Sequence, residues 1–216
     1  DAHSPSGVCT PTRYSIMTGR YPWRSQRPVG VLNGFSRPLM ENDRATVASL
    51  LKENGYNTAV VGKWHLGLGW VPKREYAHLL ANKRYGIDAE MNPDHVDLAV
   101  PMTVSPNTNG FDYSYVLPAS LDMQPYCYVE NGKLVEQLTS FTSGKKPDTG
   151  YAGAFWRPGL MSPSFDFFDV LPGFTRKANE FIQRQSKEKP FFLYLPMPAP
   201  HTPWMPITGF IGSSGA

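Results

Sequence analysis

A cysteine, a proline and an arginine stand close together near the start of the chain, in the segment Cys9-Thr-Pro11-Thr-Arg13. Pro11 suits the first turn of a helix, because its missing N–H group has no partner to lose there. Gly19 is a typical helix stop, so we predict a short helix over residues 11–18. A side chain at the start of this helix faces unpaired N–H groups and the positive end of the helix dipole, and Arg13 adds a fixed positive charge. The segment therefore favours binding of an oxyanion beside Cys9.

The residues alone leave the role of Cys9 open. A lone cysteine near a helix start is often a small buried apolar residue. It could also be a thiolate nucleophile, because helix N-termini and arginine lower the pKa of a thiol. The second cysteine, Cys127, is too distant in sequence to indicate a local metal or redox pair.

Further candidate residues follow predicted strands. Lys63 and His65 come directly after an apolar segment, and His201 lies just beyond another. Ligands of open α/β sheets bind outside the carboxyl ends of the strands, so both histidine-bearing segments are expected at one edge of the sheet. Taken singly, Lys63 is more typical of a solvated charge, and both histidines are more typical of structural loop residues.

Two longer segments resemble the signatures of the type I sulfatases. Residues 4–21, SPSGVCTPTRYSIMTGRY, are similar to the first signature, Cys-x-Pro-x-Arg followed by a Thr-Gly-Arg element. Residues 55–67, which contain Lys63 and His65, are similar to the second. The two signatures occur in the family's order, and the resemblance extends over nearly the whole chain.

Two shorter segments add to this resemblance. Residues 198–204, around His201, resemble the histidine-bearing loop that the family carries later in its sequence. Residues 118–120 resemble the segment that supplies a hydroxyl group to the sulfate, which would be Ser120 in this chain. A plain turn serine is the rival interpretation of Ser120. The resemblance assigns Ser120, Lys63 and His201 to substrate binding.

The resemblance implies a mechanism of sulfuric ester hydrolysis of the arylsulfatase type. Cys9 would be converted after translation to formylglycine, an aldehyde whose hydrate attacks the sulfur atom and forms a covalent sulfate ester. Arg13 and Lys63 would hold and neutralise the sulfuryl group. His201, together with Lys63, would protonate the leaving oxygen. His65 would act as the base or orienter when the second hydroxyl of the hydrate expels sulfate.

The resemblance also implies one divalent cation, usually calcium, held by carboxylates and an amide oxygen. The family's paired aspartates lie upstream of the cysteine signature, and its Asp-Asn pair lies downstream of the histidine loop, so we assign no metal ligand. We expect residues 1–216 to be a partial sulfatase catalytic domain without the first strand and the C-terminal part. The implied partners are a small-molecule or carbohydrate sulfate ester and a formylglycine-generating maturation enzyme. The implied location is the periplasm or the outside of the cell.

Composition gives no sign of several other classes of protein. The 216 residues carry a net charge of only +3, which does not indicate binding to nucleic acid or to an acidic membrane surface. No apolar segment approaches the roughly 20 residues that span a bilayer, and no signal peptide is visible. Two cysteines do not form a disulfide framework. The 21 prolines and 19 glycines predict a loop-rich structure.

The elements that must position these residues alternate as in an α/β sheet. Apolar residues at helical spacing predict a helix within residues 39–54, and residues 57–62 are a predicted buried strand. A second helix and strand are predicted over 174–187 and 190–196. We predict a three-layer α/β sandwich with a mostly parallel central sheet, which by resemblance is an incomplete domain of the alkaline-phosphatase and sulfatase type.

The remaining segments are less regular. Residues 111–116 alternate like a strand, and residues 126–129 and 133–135 flank Asn131-Gly132 as in a hairpin. Residues 67–109 are predicted to form a surface excursion with a short helix near 75–83, and residues 144–164 to form a loop. Four loop tryptophans could stack on a sugar or aryl ring or pack structurally: Trp64, Trp70, Trp156 and Trp204.

Three alternatives to sulfate ester hydrolysis are open at this point. A related enzyme with the same Cys-x-Pro-x-Arg motif could hydrolyse phosphonate monoesters or phosphodiesters. A truncated chain could bind an anion without turning it over. A cysteine hydrolase could use Cys9 with His65 or His201. The absence of recognisable metal ligands favours the second of these alternatives for the isolated chain.

Overall fold

Five strands of the protein form one mixed sheet in the computed structural model, which describes residues 1, 3–81, 90–146, 153 and 155–213. The strands of these residues, in chain order, are β1 Asn57–Lys63, β2 Tyr113–Leu117, β3 Val129–Glu130, β4 Lys133–Leu134, β5 Ser140–Thr142, β6 Gly159–Met161 and β7 Phe191–Tyr194. The α-helices are α1 Cys9–Thr18, α2 Val47–Glu53 and α3 Val170–Gln183. Among the described helices, none has the length and apolar character needed to cross a membrane.

The sheet has the strand order β4-β3-β2-β1-β7, with β1 in the middle of its parallel part. β1 runs parallel to both β2 and β7, and Lys63 at its end lies beside Leu117 at the end of β2. β3 and β4 form an antiparallel hairpin on the far side of β2. The predicted mostly parallel sheet is therefore confirmed. β7 lies at one edge, where Phe191 is exposed; the further strand that the family resemblance implies stays a prediction.

Helices cover both faces of this sheet. Successive side chains of a strand point to opposite faces, and Val60 and Val61 of β1 accordingly enter two different apolar clusters. Val60 packs in the cluster that contains Tyr14 of α1 and Ala48 of α2. Val61 packs in the cluster that contains Phe174 of α3. Helix, sheet and helix form the three predicted layers.

Helix α1 begins at Cys9, two residues before the predicted start. Gly19 ends it in the left-handed conformation (φ 67°), and the Gly19 N–H group donates to the Ser15 carbonyl oxygen over 2.8 Å. Pro11 lies in the first turn, as predicted. Val8 precedes the helix in an extended conformation and provides no side-chain hydrogen bond to its first turn.

Helices α2 and α3 confirm the two other predicted helices with different bounds. α2 occupies only the end of residues 39–54, because Thr46 caps it: Thr46 Oγ1 accepts from the Ser49 N–H group over 3.0 Å, and Ser49 Oγ accepts from the Thr46 N–H group over 2.8 Å. α3 begins at Val170 rather than at Phe174. Val170 is buried one turn before Phe174, so the apolar face starts earlier than predicted.

The prediction of a loop over residues 144–164 was wrong in one part. β6 lies within this segment and pairs antiparallel with β5. The two short strands are separated by a Gly- and Pro-rich stretch, so local periodicity does not show the pairing. The predicted hairpin is confirmed as β3 and β4, with Asn131 and Gly132 at positive φ.

The segment 67–109 is irregular, as predicted. The short helix predicted near residues 75–83 is a 3-10 helix over Arg74–Ala81, and residues 82–89 lie outside the described part of the chain. Other 3-10 helices, at Pro93–His95 and Pro106–Asn109, lie within the same segment. This excursion leaves the carboxyl end of β1 and returns to the start of β2.

Gly62 allows the segment after β7 to approach the end of β1. Its φ of 138° is a conformation that residues with a Cβ rarely adopt, and a Cβ atom there would lie 2.5 Å from the Pro196 carbonyl oxygen. The same oxygen accepts from the Lys63 N–H group over 2.8 Å. This close contact brings the chain that leads to His201 beside Lys63.

We expect Gly62→Ala to lower the free energy of unfolding by about 2–4 kcal/mol, because the methyl group meets backbone atoms that cannot move easily. Equilibrium denaturation followed by circular dichroism measures this effect. Gly209→Ala is the matched control and should change stability by less than about 0.5 kcal/mol, since its Cβ would meet nothing within 4 Å. Equal stability of the two variants would contradict the importance of this contact.

Candidate active site

The ends of β1, β2 and β7 and the start of α1 meet at the same edge of the sheet. Lys63 is the last residue of β1, Ser120 follows β2 and His201 follows β7. The Cys9 side chain lies close enough to Lys63 and Arg13 to affect the pKa of each. The structure therefore brings residues from both predicted signatures together at the edge where α/β sheets bind ligands.

Cys9 is partly buried and lines a cavity of about 380 Å³. Val8 gives the first turn of α1 no side-chain cap, so N–H groups of that turn can donate hydrogen bonds to a ligand. Unpaired N–H groups at a helix start attract negative charge. The other residues that line this cavity are Ser6, Gly7, Val8, Thr12, Arg13, Ile16, Tyr194 and Pro196.

Arg13 joins α1 to the end of β1. Its Nη1 atom donates to the Lys63 backbone oxygen over 2.5 Å. Burial lowers the pKa of Arg13, whereas Tyr194 and Cys9 act in the opposite direction, and a guanidinium group remains charged at neutral pH. The Nε atom is buried without a hydrogen-bond partner among the described residues. Arg13 thus retains a donor that no described residue uses.

Lys63 carries a buried positive charge. Its side chain is 1% exposed, and Nζ donates to Ser120 Oγ over 3.0 Å. Burial lowers the pKa of Lys63 to about 8; Cys9 raises this pKa, Arg13 lowers it further, and Asp122 raises it. At pH 7 the ammonium group is therefore mostly protonated in a poorly hydrated position. Such a group favours the binding of an anion.

His65 is held as a neutral hydrogen-bond acceptor. Its Nε2 atom lies 2.7 Å from the Leu32 carbonyl oxygen, and because a carbonyl only accepts, we assign the ring hydrogen to Nε2. Nδ1 is buried without a partner in the described part of the chain. Burial, followed by the charge of Lys63, lowers the pKa of His65 to about 3. The backbone of His65 has a positive φ of 56°, a strained conformation for a residue with a Cβ.

Ser120 connects Lys63 with His201. Ser120 Oγ lies 3.4 Å from His201 Nδ1, in addition to its hydrogen bond with Lys63. The His201 side chain is 42% exposed, which leaves its ring accessible to a ligand. Because Ser120 Oγ accepts from Lys63, its own hydrogen can be donated to another acceptor. The predicted residues Lys63, Ser120 and His201 therefore form a continuous polar chain.

Two residues of this cluster were missed by the sequence analysis. Asp122 is 6% exposed and lies 4.0 Å from His201 Nδ1, and its Oδ2 atom accepts from Arg157 over 2.5 Å. Asp122 stands two residues after Ser120, just beyond the matched segment 118–120, and this proximity in sequence was a signal. Arg157 follows a Gly- and Pro-rich stretch, where no local pattern points to the site.

The residues of this structure do not fit the calcium site that the sulfatase resemblance implies. Across the described ranges, no group of three or more His, Cys, Asp or Glu side chains is placed to hold a metal ion. Asp122, the buried carboxylate nearest the site, is bound to Arg157, and a guanidinium group there opposes a cation. We therefore derive no step of the mechanism through a metal.

The tryptophan predictions divide into two groups. Trp64 and Trp70 are 1% and 5% exposed and belong to the apolar core, so structural packing, the second of the two roles left open, applies to them. Their indole N–H groups donate to backbone oxygens, which explains how they are accommodated there. Trp156 stacks on Phe167. Trp204 is 46% exposed and lines a cavity of about 620 Å³ together with His201.

Comparisons with known proteins agree on one family. The sequence model of the family described as Sulfatase matches residues 1–213. The chain is 32% identical to the N-acetylgalactosamine-6-O-sulfatase of Bacteroides thetaiotaomicron, over 100% of this chain and 43% of that protein. It is 28% identical to human arylsulfatase A, over 100% of this chain and 36% of that protein. A solved structure from work on glycosaminoglycan metabolism by Bacteroides thetaiotaomicron aligns with a TM-score of 0.71 and 30% identity, over 98% of this chain and 45% of that one.

The fold and the polar cluster together define a three-layer α/β domain with buried cationic and polar side chains at the carboxyl edge of its sheet. The family match covers nearly all of the sequence, and the chain belongs to the sulfatase family. It spans less than half the length of these relatives, between 36% and 45%.

Replacing Lys63 with methionine is expected to preserve or increase the stability of the ligand-free protein at pH 7, because the substitution removes a buried charge. The folded-state pKa, about 8, lies below the ordinary value of 10.5. Below pH 8 the wild type therefore carries the full free-energy cost of burying the charged lysine. As the pH rises from 8 to 10.5, the folded state loses this charge before the unfolded state does, and the wild type gains stability relative to the variant. We expect a relative gain of at most about 3 kcal/mol.

Denaturation curves of the wild type and Lys63→Met, recorded at several pH values across this window, measure the difference. Lys52→Met is the control for the loss of a lysine charge at the surface, where Lys52 Nζ lies 2.8 Å from Asp112 Oδ1. A stability difference between the wild type and Lys63→Met that stays constant from pH 8 to 10.5 would contradict the lowered pKa of Lys63.

Proposed function

We propose that this chain forms the catalytic part of an enzyme that hydrolyses sulfate esters. The observation that carries the proposal is the position of Cys9 at the uncapped start of α1, beside the buried cations Arg13 and Lys63. A sulfate ester is a monoanion, and its hydrolysis increases the negative charge on the sulfuryl and leaving oxygens. Fixed cations and N–H groups in a poorly hydrated site stabilise that charge. Membership of the sulfatase family supports the same reaction.

Residue 9 supplies the nucleophile in this proposal. When Cys9 is converted to formylglycine, the hydrated aldehyde offers one hydroxyl to attack sulfur and a second that lets sulfate leave. His65 is the base or orienter for a hydroxyl of residue 9, which can donate a hydrogen bond to Nδ1, because this atom has a lone pair and no described partner. Thr10 Oγ1 donates to the His65 backbone oxygen over 3.0 Å, which keeps this histidine against the start of α1.

Substrate binding is assigned to Arg13, Lys63 and Ser120, and protonation of the leaving oxygen to His201. Arg13 Nη1 donates to the Lys63 backbone oxygen, and the Arg13 charge lies close enough to lower the pKa of Lys63, so both cations are assigned to one sulfuryl group. Ser120 has a hydroxyl hydrogen to donate to it, because its oxygen already accepts from Lys63. His201 lies at the exposed end of this chain of contacts, where the alcohol part of the ester would emerge.

We further propose a carbohydrate sulfate ester as the substrate. One relative is named for N-acetylgalactosamine 6-O-sulfate, and the solved structure comes from work on glycosaminoglycan metabolism. In this chain the cavity beside His201 exposes Trp204, and an indole face packs well against a sugar ring. The proposal includes a formylglycine-generating maturation enzyme as a partner and a periplasmic or extracellular location, both of which follow from family membership.

Cys9→Ala is expected to reduce hydrolysis of 4-nitrophenyl sulfate by about 10³-fold or more, because the side chain that becomes the nucleophile is removed. The assay uses the full-length protein produced in cells that contain the maturation enzyme. Intact-mass analysis of the peptide around residue 9 should show the mass of the aldehyde in place of cysteine. Cys127→Ala is the control and should keep its activity, since Cys127 is buried in the core.

Two outcomes would contradict the proposed function. Undiminished sulfatase activity with only unmodified Cys9 would exclude formylglycine as the nucleophile. Faster turnover of a matched aryl phosphonate monoester or phosphodiester than of the aryl sulfate would favour the related hydrolase activity. An absence of turnover for all of these esters in the matured full-length protein would leave anion binding as the function of the site.

The pKa of Lys63 predicts how the activity depends on pH. A lysine whose pKa is lowered to about 8 is charged below that pH and neutral above it, so kcat/KM for an aryl sulfate should fall as the pH rises through 8. His65, with a pKa lowered to about 3, should remain neutral throughout the range from pH 5 to 8. Steady-state kinetics across pH 5–10 measures the profile. A kcat/KM that does not fall between pH 8 and 10 would contradict the assigned role of Lys63.

A further inference from the structure

Asp122 has one carboxylate oxygen that the fold itself does not use. Its Oδ2 atom accepts from Arg157 Nη1 over 2.5 Å, and its backbone oxygen accepts from the same Nη1 over 3.0 Å and from the Arg157 N–H group over 3.1 Å. Oδ1 is buried and has no hydrogen-bond partner among the described residues. Burying a polar atom without a partner is unfavourable. A neighbouring group that the negative charge of Oδ1 stabilises would offset this cost.

The group nearest to this oxygen at ion-pair range is His201. Asp122 Oδ1 lies 4.0 Å from His201 Nδ1. The same Nδ1 lies 2.8 Å from the Thr202 carbonyl oxygen, which only accepts, so we assign a hydrogen to Nδ1. His201 must then gain and lose its second proton at Nε2. In the doubly protonated form, the positive ring faces the Asp122 carboxylate.

The other charged groups near His201 act against protonation of its ring. Lys63 lies on the other side of Ser120, whose Oγ is 3.0 Å from Lys63 Nζ and 3.4 Å from His201 Nδ1. A neighbouring cation disfavours a protonated histidine. Arg157 is also positive, but it is bound to Asp122. Asp122 is thus the anion that can offset these charges at His201.

Asp122 is ionised at neutral pH. Burial alone would raise the pKa of Asp122, but the nearby Ser120 hydroxyl, the hydrogen bond from Arg157 and the charges of His201 and Arg157 hold this pKa below its ordinary value. Arg157 also fixes the orientation of the carboxylate through its contacts with both the side chain and the backbone of Asp122. A fixed, ionised carboxylate beside an accessible imidazole is a typical means of orienting the ring and favouring its charged form.

We propose that Asp122 is a positioning residue that keeps His201 protonated at Nε2 and oriented to protonate the leaving oxygen of the ester. This inference rests on the proposed sulfate ester hydrolysis. As the bond between sulfur and the leaving oxygen breaks, its electron pair goes to that oxygen, which takes the proton from His201 Nε2. His201 becomes neutral with its Nδ1 hydrogen in place, and Asp122 remains ionised throughout.

The test compares two sulfate esters that share one ring but differ in their need for an acid. 4-Nitrophenyl sulfate releases a stable phenolate, whereas phenyl sulfate releases a more basic one that needs protonation as it leaves. In the full-length matured protein, Asp122→Asn should reduce kcat/KM for phenyl sulfate at least about 10-fold more than for 4-nitrophenyl sulfate. A residue with a merely structural role would lower both values by the same factor.

Further variants test whether Asp122 acts through His201. His201→Gln should show the same selective loss, and the double variant with Asp122→Asn should show no greater selectivity, because both substitutions remove one function. Asp169→Asn is the matched control: its Oδ2 accepts from Arg176 over 2.5 Å at the surface, an equally short Asp–Arg pair. It should leave both esters unaffected.

The inference would be overturned, while the sulfatase function stands, if Asp122→Asn lowered kcat/KM for both esters by the same factor. It would also be overturned if the selective losses of Asp122→Asn and His201→Gln added together in the double variant. If Asp122→Asn does not fold, Asp122→Glu replaces it. The Glu variant keeps the charge and should retain the wild-type ratio of the two esters even if both are slower; a selective loss would overturn the inference. If the wild type hydrolyses neither ester, the proposed function fails and this inference fails with it.

Discussion

The burial of the Lys63 ammonium group is the constraint on which the rest of the site depends. Removing a charge from water is unfavourable unless other charges or dipoles replace the water. Ser120 provides one hydrogen-bond acceptor, whereas Arg13 adds a second cation nearby. The ligand-free site therefore contains positive charge that its own residues do not neutralise. An anion at the start of α1 beside Cys9 would relieve this repulsion, which is what the proposed binding of a sulfate ester requires.

The fold holds these charges in place by using the middle of the sheet. β1 has parallel neighbours on both sides, so Lys63 at its end is fixed by the register with β2 and by the contact of its N–H group with Pro196. The side-chain hydrogen bond from Arg13 to the Lys63 backbone oxygen fixes the start of α1 against the end of β1. Groups with such fixed positions need little rearrangement when charge develops in a reaction. The strained backbone of His65, directly after β1, is compatible with this rigidity.

Sequence patterns singled out the candidate residues near Cys9 and near Lys63, because each set lies within a short segment of the chain. The layers and the parallel part of the sheet were predicted for a similar reason, since helix and strand periodicities are local. The contact of Asp122 with Arg157 is different, because it joins residues 35 positions apart across an irregular segment. The pairing of β5 with β6 and the burial of Trp64 also depend on tertiary packing. Local patterns contain no information about such contacts.

Charges of opposite sign lie at the two ends of the polar cluster, one end next to Cys9 and the other next to His201. Lys63 and Arg13 form a positive end next to Cys9, whereas Asp122 places a negative charge at the His201 end. In the proposed reaction, the anionic group of the substrate binds beside Lys63 and Arg13, and its alcohol part then points toward His201. Ser120 lies between the two ends, and its hydroxyl group separates the ammonium from the imidazole. Lys63 and Asp122 thus place opposite charges on the two sides of Ser120, and the imidazole of His201 lies on the side of the carboxylate.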